Sequence, residues 1–233
     1  MKDLFGRALL DYQNGHHTED LITSTNISEE DELPLPYLFR DFKDMPKLEK
    51  KALKLVKGSI LDVGCGAGNH SLYLQKKGFD VIAIDISEGA IEVAKLRGVT
   101  NAEVRNLLEE TETFDTILLL MNGTGIFQEL SQVSKYLTHL KSLLKPNGQI
   151  LIDSSDIKYM YEDDDGGFWM DAHANYYGEL DYYLSYKGEE ETPMKWLYLD
   201  FETLKLACET VGLMCELVLE GGHFDYLARL IPA

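Results

Sequence analysis

The residues whose types and spacing can do chemistry are concentrated in the run Ile60-Leu61-Asp62-Val63-Gly64-Cys65-Gly66-Ala67-Gly68-Asn69 and in Asp85, 21 positions after Gly64. Glycines that turn a buried strand into a helix let backbone N–H groups approach a ligand closely, and the helix N-terminus adds free donors. An acid at the end of the next strand can accept both hydroxyls of a ribose. The competing reading is that the glycines only shape a tight turn and that Asp85 caps the helix after it. Strand, turn, helix, strand and acid in this order favour a nucleotide-type ligand. The dinucleotide spacing G-x-G-x-x-G fails in both registers, at Asn69 and at Ser71.

The elements that position these residues follow from apolar periodicity. Ser59–Val63 reads as a short buried strand, Asn69–Lys77 as a helix stopped by Gly78, and Phe79–Ile84 as a strand rich in β-branched residues. Ser87 is a candidate N-cap for a helix that ends at Gly98. Glu103–Arg105 is a short strand, and Phe114–Met121 is a continuous apolar run, as in a strand buried on both faces. Ser131–Leu144 is amphipathic and stops at Pro146-Asn147-Gly148, after which Gln149–Asp153 is the next strand. Strands alternating with helices imply βαβ units and a parallel sheet. Beyond Ser154 the rhythm changes. Tyr176–Tyr186 and Met194–Tyr198 read as paired strands, Asp200 caps a helix, and Met214–Leu219 with Phe224–Ile231 reads as a closing hairpin. A helix begins near Pro46, and the first 45 residues show only weak periodicity.

The pattern Asp62-x-Gly64-x-Gly66-x-Gly68, with "ILDVGCGAGNHSLYLQKKGFDVIAIDIS", "FDTILLLMNGTG" and "LLKPNGQILID", resembles the class I S-adenosylmethionine-dependent methyltransferases. The resemblance runs from Ser59 to Asp153. It implies an α/β fold with a Rossmann-like seven-stranded mixed sheet, an antiparallel last strand and helices on both faces. It also implies the cofactor S-adenosyl-L-methionine, with S-adenosyl-L-homocysteine as product. Position by position, Gly64, Cys65, Gly66 and Gly68 would form the loop under the methionine moiety, with Asp62 near its ammonium group. Asp85 would hold the ribose hydroxyls and Ile86 would pack on the adenine. Asn106 and Leu107 fall where the family often has an acid that contacts the adenine amino group; an amide oxygen can accept the same bond. Met121, Asn122 and Gly123 fall in the methyl-facing loop. Arg40 stands where related enzymes often place an Arg that pairs with the cofactor carboxylate, with a surface Arg as the alternative.

One domain over residues 1–233 is expected: an N-terminal helical or lid segment 1–57, a cofactor-binding core 58–153, an inserted cover segment 154–198, and a closing helix and hairpin 199–233. The chain carries 22 Lys and Arg against 40 Asp and Glu, net −18, and residues 156–233 alone contribute −12. That balance opposes binding to a phosphate backbone or an anionic membrane. No apolar run approaches the ~20 residues of a membrane span. Cys65, Cys208 and Cys215 form no CxxC pair, and no secretory signal is evident, so a cytoplasmic setting is expected. No metal site is expected: His16-His17 lacks a third ligand, and Glu162–Gly166 lacks the acids an EF-hand needs at Tyr161 and Ala172.

The reaction expected is transfer of the sulfonium methyl to O, N or C of a small-molecule acceptor, with the acceptor held at near-attack distance and water excluded. His173, Tyr176 and Tyr177 are candidates for a general base if one is needed. Two rivals are an aminopropyltransferase on the same fold, whose doubly acidic signature is absent, and a non-catalytic module that binds the cofactor.

Overall fold

In the computed structural model, which describes residues 2–162, 167 and 176–233, the chain forms two sheets. The elements in order are α1 (Leu4–Gln13), β1 (Leu21–Thr25), β2 (Ser28–Leu33), α2 (Leu35–Leu38), α3 (Lys47–Leu55), β3 (Ile60–Val63), α4 (Asn69–Lys76), β4 (Val81–Asp85), α5 (Glu88–Leu96) and β5 (Ala102–Val104). They continue with β6 (Phe114–Leu119), α6 (Leu130–Ser142), β7 (Leu144–Ser155), β8 (Glu179–Tyr186), β9 (Glu189–Glu190), β10 (Met194–Leu197), α7 (Phe201–Thr210), β11 (Leu213–Glu220) and β12 (Asp225–Pro232).

The larger sheet has the order β11-β12-β7-β6-β3-β4-β5. Strands β3 to β7 run parallel, and β12 is antiparallel to both of its neighbours, β7 and β11. This is the expected seven-stranded mixed sheet with an antiparallel last strand. Its central strands are buried on both faces, and adjacent residues point to opposite sides. Leu61, Ile117 and Ile150 pack with Leu137 and Leu140 of α6 and Leu204 of α7. Ile60, Leu118 and Leu151 pack with Leu48, Ala52 and Leu53 of α3 and Leu74 of α4. Ser87 caps α5 by accepting from the Ala90 N–H at 3.0 Å, and Asp200 caps α7 by accepting from Thr203 at 2.9 Å. Pro146-Asn147-Gly148 lies within β7, which begins earlier than the apolar run suggests and pairs Leu144 with Phe114 across a bulge.

The N-terminal 45 residues are more ordered than their periodicity predicts. α1 buries Leu4, Ala8 and Leu9 and crosses α5 so closely that a side chain at Gly89 would stand 2.6 Å from the Gly6 backbone. β1 pairs antiparallel with β2 and with β8, matching Ile22 to Ser185 and Thr25 to Tyr182, and β10 completes a second sheet in the order β10-β8-β1-β2, with β9 also on β8. The N-terminal segment and the insertion before α7 therefore form one layer. That layer lies against the carboxyl ends of the parallel strands: Trp196 of β10 packs on Gly125, and Thr124 donates to the Leu197 carbonyl at 2.9 Å.

Candidate active site

The glycine loop leaves β3 at its carboxyl end, and Gly64, Gly66 and Gly68 all have positive φ. Gly68 cannot be another residue without rearrangement, because a Cβ there would stand 2.7 Å from Val99 at φ +80°. Gly66 is open on its ligand side: a Cβ would meet only the Phe5 ring of α1, at 3.9 Å. The Gly66 N–H donates to Asp85 Oδ2 and the Ser87 N–H to Asp85 Oδ1, both at 2.9 Å. Ser87, not Asp85, supplies the side-chain cap of α5, so the helix-cap alternative for Asp85 fails. Burial raises the Asp85 carboxyl above its ordinary value, against the Ser87, Gly66 and Ile86 N–H groups that stabilise its charge. Beside it Ile86 is 58% exposed, an apolar platform next to an acid. A polar acceptor, an open glycine backbone and an exposed aliphatic side chain at adjoining strand ends fit a nucleoside-containing ligand. Cys65 is different from its neighbours: its side chain packs with Ala83, Ile91 and Ala94, so only its backbone faces the loop.

α1 is held over this loop by carboxylates. Asp3 accepts from Gly6 within α1 and from Gly89 at the start of α5. Glu191, buried in the second sheet, accepts from the Lys2 and Leu4 N–H groups at 2.8 and 3.1 Å. Glu191 therefore joins the insertion to the helix that covers the glycine loop. Glu191→Ala is expected to raise amide hydrogen exchange across residues 2–13 and to speed release of a bound nucleoside, since opening then breaks fewer buried bonds. Exchange in α1 equal to that of the native chain would show that the Asp3–Gly89 bond and the buried Leu4, Ala8 and Leu9 suffice to hold the helix down.

Arg40 is not at the surface. Its guanidinium is buried, donates to the Tyr37 carbonyl at 2.6 Å, pairs with Glu49 of α3 and stacks on the Tyr37 ring. His70 of α4 closes the cluster through a 2.6 Å contact with the other Glu49 oxygen. Burial alone would raise Glu49, but the His70 hydrogen bond and the two cations hold its carboxyl below the ordinary range. Burial opposes a charge on His70, yet Glu49 and Asp62 raise its value above that of a free imidazole. Arg40 thus spends its terminal nitrogens inside the protein, and Nε is the donor left buried without a partner. Asp62 accepts from Ser71 at 2.6 Å beneath the loop. Arg97 fixes the loop from the other side, donating to the Ala67 carbonyl, to Asn69 and to the Phe39 carbonyl.

After β6 the backbone turns through two left-handed residues, Met121 and Asn122. The carboxylate of Asp153, at the end of β7, organises this turn by accepting from Met121 at 3.1 Å and Gly123 at 3.0 Å. Burial pushes Asp153 up to about 6, with the Glu49 charge adding to the effect and the two N–H groups opposing it. Asn122 accepts from Ser154 and reaches toward the Leu197 carbonyl, tying the turn to β10. Asn106 is exposed and accepts from the Leu108 N–H, and Leu107 beside it is buried. Sequence reasoning assigned no role to Glu49, His70 or Asp153. The available signal was a glutamate on the apolar side of α3, next to Leu48 and one turn before Leu53.

The base candidates fare differently. His173 lies outside the described residues, as do Asp163–Asp165, Phe168 and Trp169. Tyr176 donates to Asp200 at 2.5 Å, and Tyr177 donates to Asp156 at 2.8 Å. Burial and the adjoining carboxylates keep both phenols protonated, Tyr176 pushed up to about 12. Both phenols reach Asp200, the N-cap of α7.

The chain matches the family described as "Methyltransferase domain" over residues 60–148. It is 46% identical to a SAM-dependent methyltransferase from Bacteroides fragilis, solved in complex with S-adenosyl-L-homocysteine; the match covers 100% of this chain and 95% of that one, with a TM-score of 0.93. Among curated proteins it is 29% identical over 101 residues to the putative methyltransferase GWCH70_2453 of a Geobacillus species, covering 40% of this chain and 41% of that protein. It is 30% identical over 115 residues to a ubiquinone biosynthesis O-methyltransferase of Rickettsia conorii, covering 46% of this chain and 38% of that one. The chain therefore spans about two-fifths of the length of the curated relatives it matches. Agreement over the whole length with the Bacteroides enzyme, added to the strand order and the loop geometry, places the chain among the S-adenosylmethionine-dependent methyltransferases.

Proposed function

We propose that the chain transfers a methyl group from S-adenosylmethionine to a small-molecule acceptor held at the carboxyl edge of the main sheet. The cofactor supplies a methyl already activated on a sulfonium. The loop Gly64–Gly68 takes the methionine portion, Asp62 and the buried Arg40 Nε lie toward its charged end, and Asp85 accepts from the ribose hydroxyls. Ile86 supports the adenine, with Asn106 and Leu107 at its edge, and Met121–Gly123 face the methyl. The observation that carries this reading is the shared hydrogen bond of Gly66 and Asp85 beneath α1, with exposed Ile86 alongside. It joins loop, acid and apolar platform in one site. The chain's part in the reaction is to orient the acceptor and exclude water. The net charge of −18 disfavours nucleic acid as acceptor.

Calorimetry with the full chain tests this. S-adenosylhomocysteine should bind and NAD should bind far more weakly, because the dinucleotide spacing is broken. Tight NAD binding without S-adenosylhomocysteine binding would overturn the reading. S-adenosylhomocysteine binding with no methyl transfer to any small acceptor would favour the non-catalytic module.

A further inference from the structure

Resting on the cofactor reading above, we propose that the pocket beside Asp153 is the acceptor subsite and that it takes a small cationic amine, which is methylated on nitrogen. The pocket is an open cleft of about 280 Å³ lined by Tyr37, Leu48, Glu49, Met121, Asp153 and Asp225, among others. In strand order the glycine loop follows β3, whereas the pocket spans the ends of β6, β7 and β12. Met121 stands between the two, on the turn assigned to face the methyl. An acceptor in this pocket therefore adjoins the cofactor site without overlapping the loop.

The charge of the pocket selects the ligand. Among the described residues its carboxylates are Glu49, Asp153 and Asp225, and no Lys or Arg lines it. Glu49 is already met by Arg40 and His70. Asp153 is nine-tenths buried and makes no ion pair among the described residues; its oxygens accept only the Met121 and Gly123 N–H groups. Asp225 accepts from the His223 N–H and likewise has no ion pair among the described residues. A buried carboxylate without a counter-charge is costly, and a ligand cation removes that cost. A carboxylate or phosphate acceptor would instead face three like charges. A neutral phenol or alcohol would leave Asp153 uncompensated. Leu48 and Met121 give the ligand skeleton an apolar wall.

The same carboxylate can take the proton that must leave. An ammonium passes one proton to an Asp153 oxygen, and the freed nitrogen lone pair forms the new N–C bond to the methyl carbon. The C–S bond breaks, its electron pair stays on sulfur, and the sulfur departs as a neutral thioether. The amine leaves as its N-methylammonium, and the proton on Asp153 returns to solvent. A carboxyl pushed up to about 6 is better matched to this exchange near neutral pH than an ordinary aspartate. The groups facing it are Glu49 from α3, His70 from α4, Tyr37 from α2, Tyr198 after β10 and Asp225 from β12. Glu49 is held low, His70 and the phenols are raised, and Asp153, pushed up to about 6, changes charge between pH 5 and 7.5.

The test uses the full chain loaded with S-adenosylhomocysteine. It is titrated with amine, alcohol and carboxylate forms of three skeletons: hexyl, 2-phenylethyl and cyclohexylmethyl. On at least one skeleton the amine should bind tenfold or more tightly than the other two forms. That affinity should fall about tenfold from pH 7.5 to pH 5, while the amine itself stays protonated. Asp225→Asn should weaken the amine severalfold with S-adenosylhomocysteine affinity unchanged, and Asp153→Asn should weaken the amine tenfold or more. With S-adenosylmethionine the preferred amine should yield an N-methyl product by mass spectrometry. Amines binding no better than alcohols, or an amine preference that survives both pH 5 and Asp153→Asn, would sink the proposal. Absence of S-adenosylhomocysteine binding in the native chain would overturn the cofactor reading instead.

Discussion

Asp85→Ala is expected to weaken S-adenosylhomocysteine binding by about 1.5–3 kcal/mol, the scale of hydrogen bonds to a charged group, while leaving the fold intact. This is roughly a ten- to hundredfold rise in Kd. The loss has two sources. The ribose loses its acceptor, and the Gly66 N–H loses the partner that fixes the glycine loop at 2.9 Å. The fold survives because Asp85 ends β4 and α5 keeps its own cap at Ser87. Asp85→Asn separates the two sources. Its single carbonyl oxygen can hold the loop or accept from the ribose but cannot accept at both former oxygens, so its Kd should fall between those of native and Ala chains. Calorimetry with thermal unfolding decides the matter. Native affinity in Asp85→Ala would make this residue a loop tether and move the ribose contact elsewhere. A collapse in thermal midpoint would make it structural.

The region from Ser59 to Asp153 was legible because its strands are buried on both faces. Such strands advertise themselves as short apolar runs, and Ile60–Val63 and Phe114–Leu119 do so without help from any distant partner. The caps at Ser87 and Asp200 were legible for a similar reason, since a cap is a local bond. The N-terminal layer was not. β2 reads Ser-Glu-Glu-Asp-Glu-Leu and lies at the edge of its sheet, where its four acids all meet solvent. β1 becomes a strand by pairing with β8, about 160 residues later. Pairing at that separation leaves no periodicity to read. The same limit applies to Arg40. Its place upstream of β3 suggested an open carboxylate ligand, but what decides its role is Glu49 nine residues on and His70 beyond the loop. For Tyr176 and Tyr177 the sequence shows an aromatic cluster but not their partners, Asp200 and Asp156, which come from separate elements.

Asp153→Asn should gain about 3 kcal/mol of stability relative to the native chain as pH rises from below 4 to above 6. The folded value of Asp153 is about 6, against 3.8 for an unperturbed aspartate. Between these values the unfolded chain has already released the proton and the folded chain still holds it. Stability associated with Asp153 is therefore full below the unfolded value and is lost as pH rises through the folded one. Asparagine carries no such titration, and other groups with the same shifts in both proteins cancel from the comparison. The amide does lose one of the two backbone bonds, because its nitrogen cannot accept from Met121 or Gly123. That loss is a constant offset of about 1–3 kcal/mol and does not change the slope. Urea unfolding of both chains at several pH values from 4 to 7.5 reads the difference directly. The native chain pays for a buried carboxylate, and it recovers the cost only when a cation enters the pocket. A saturating amine should then raise the native midpoint at pH 7.5 and leave that of Asp153→Asn nearly unmoved. If the two stability curves run parallel in pH, Asp153 is ionised throughout, and some cation already inside the protein compensates it.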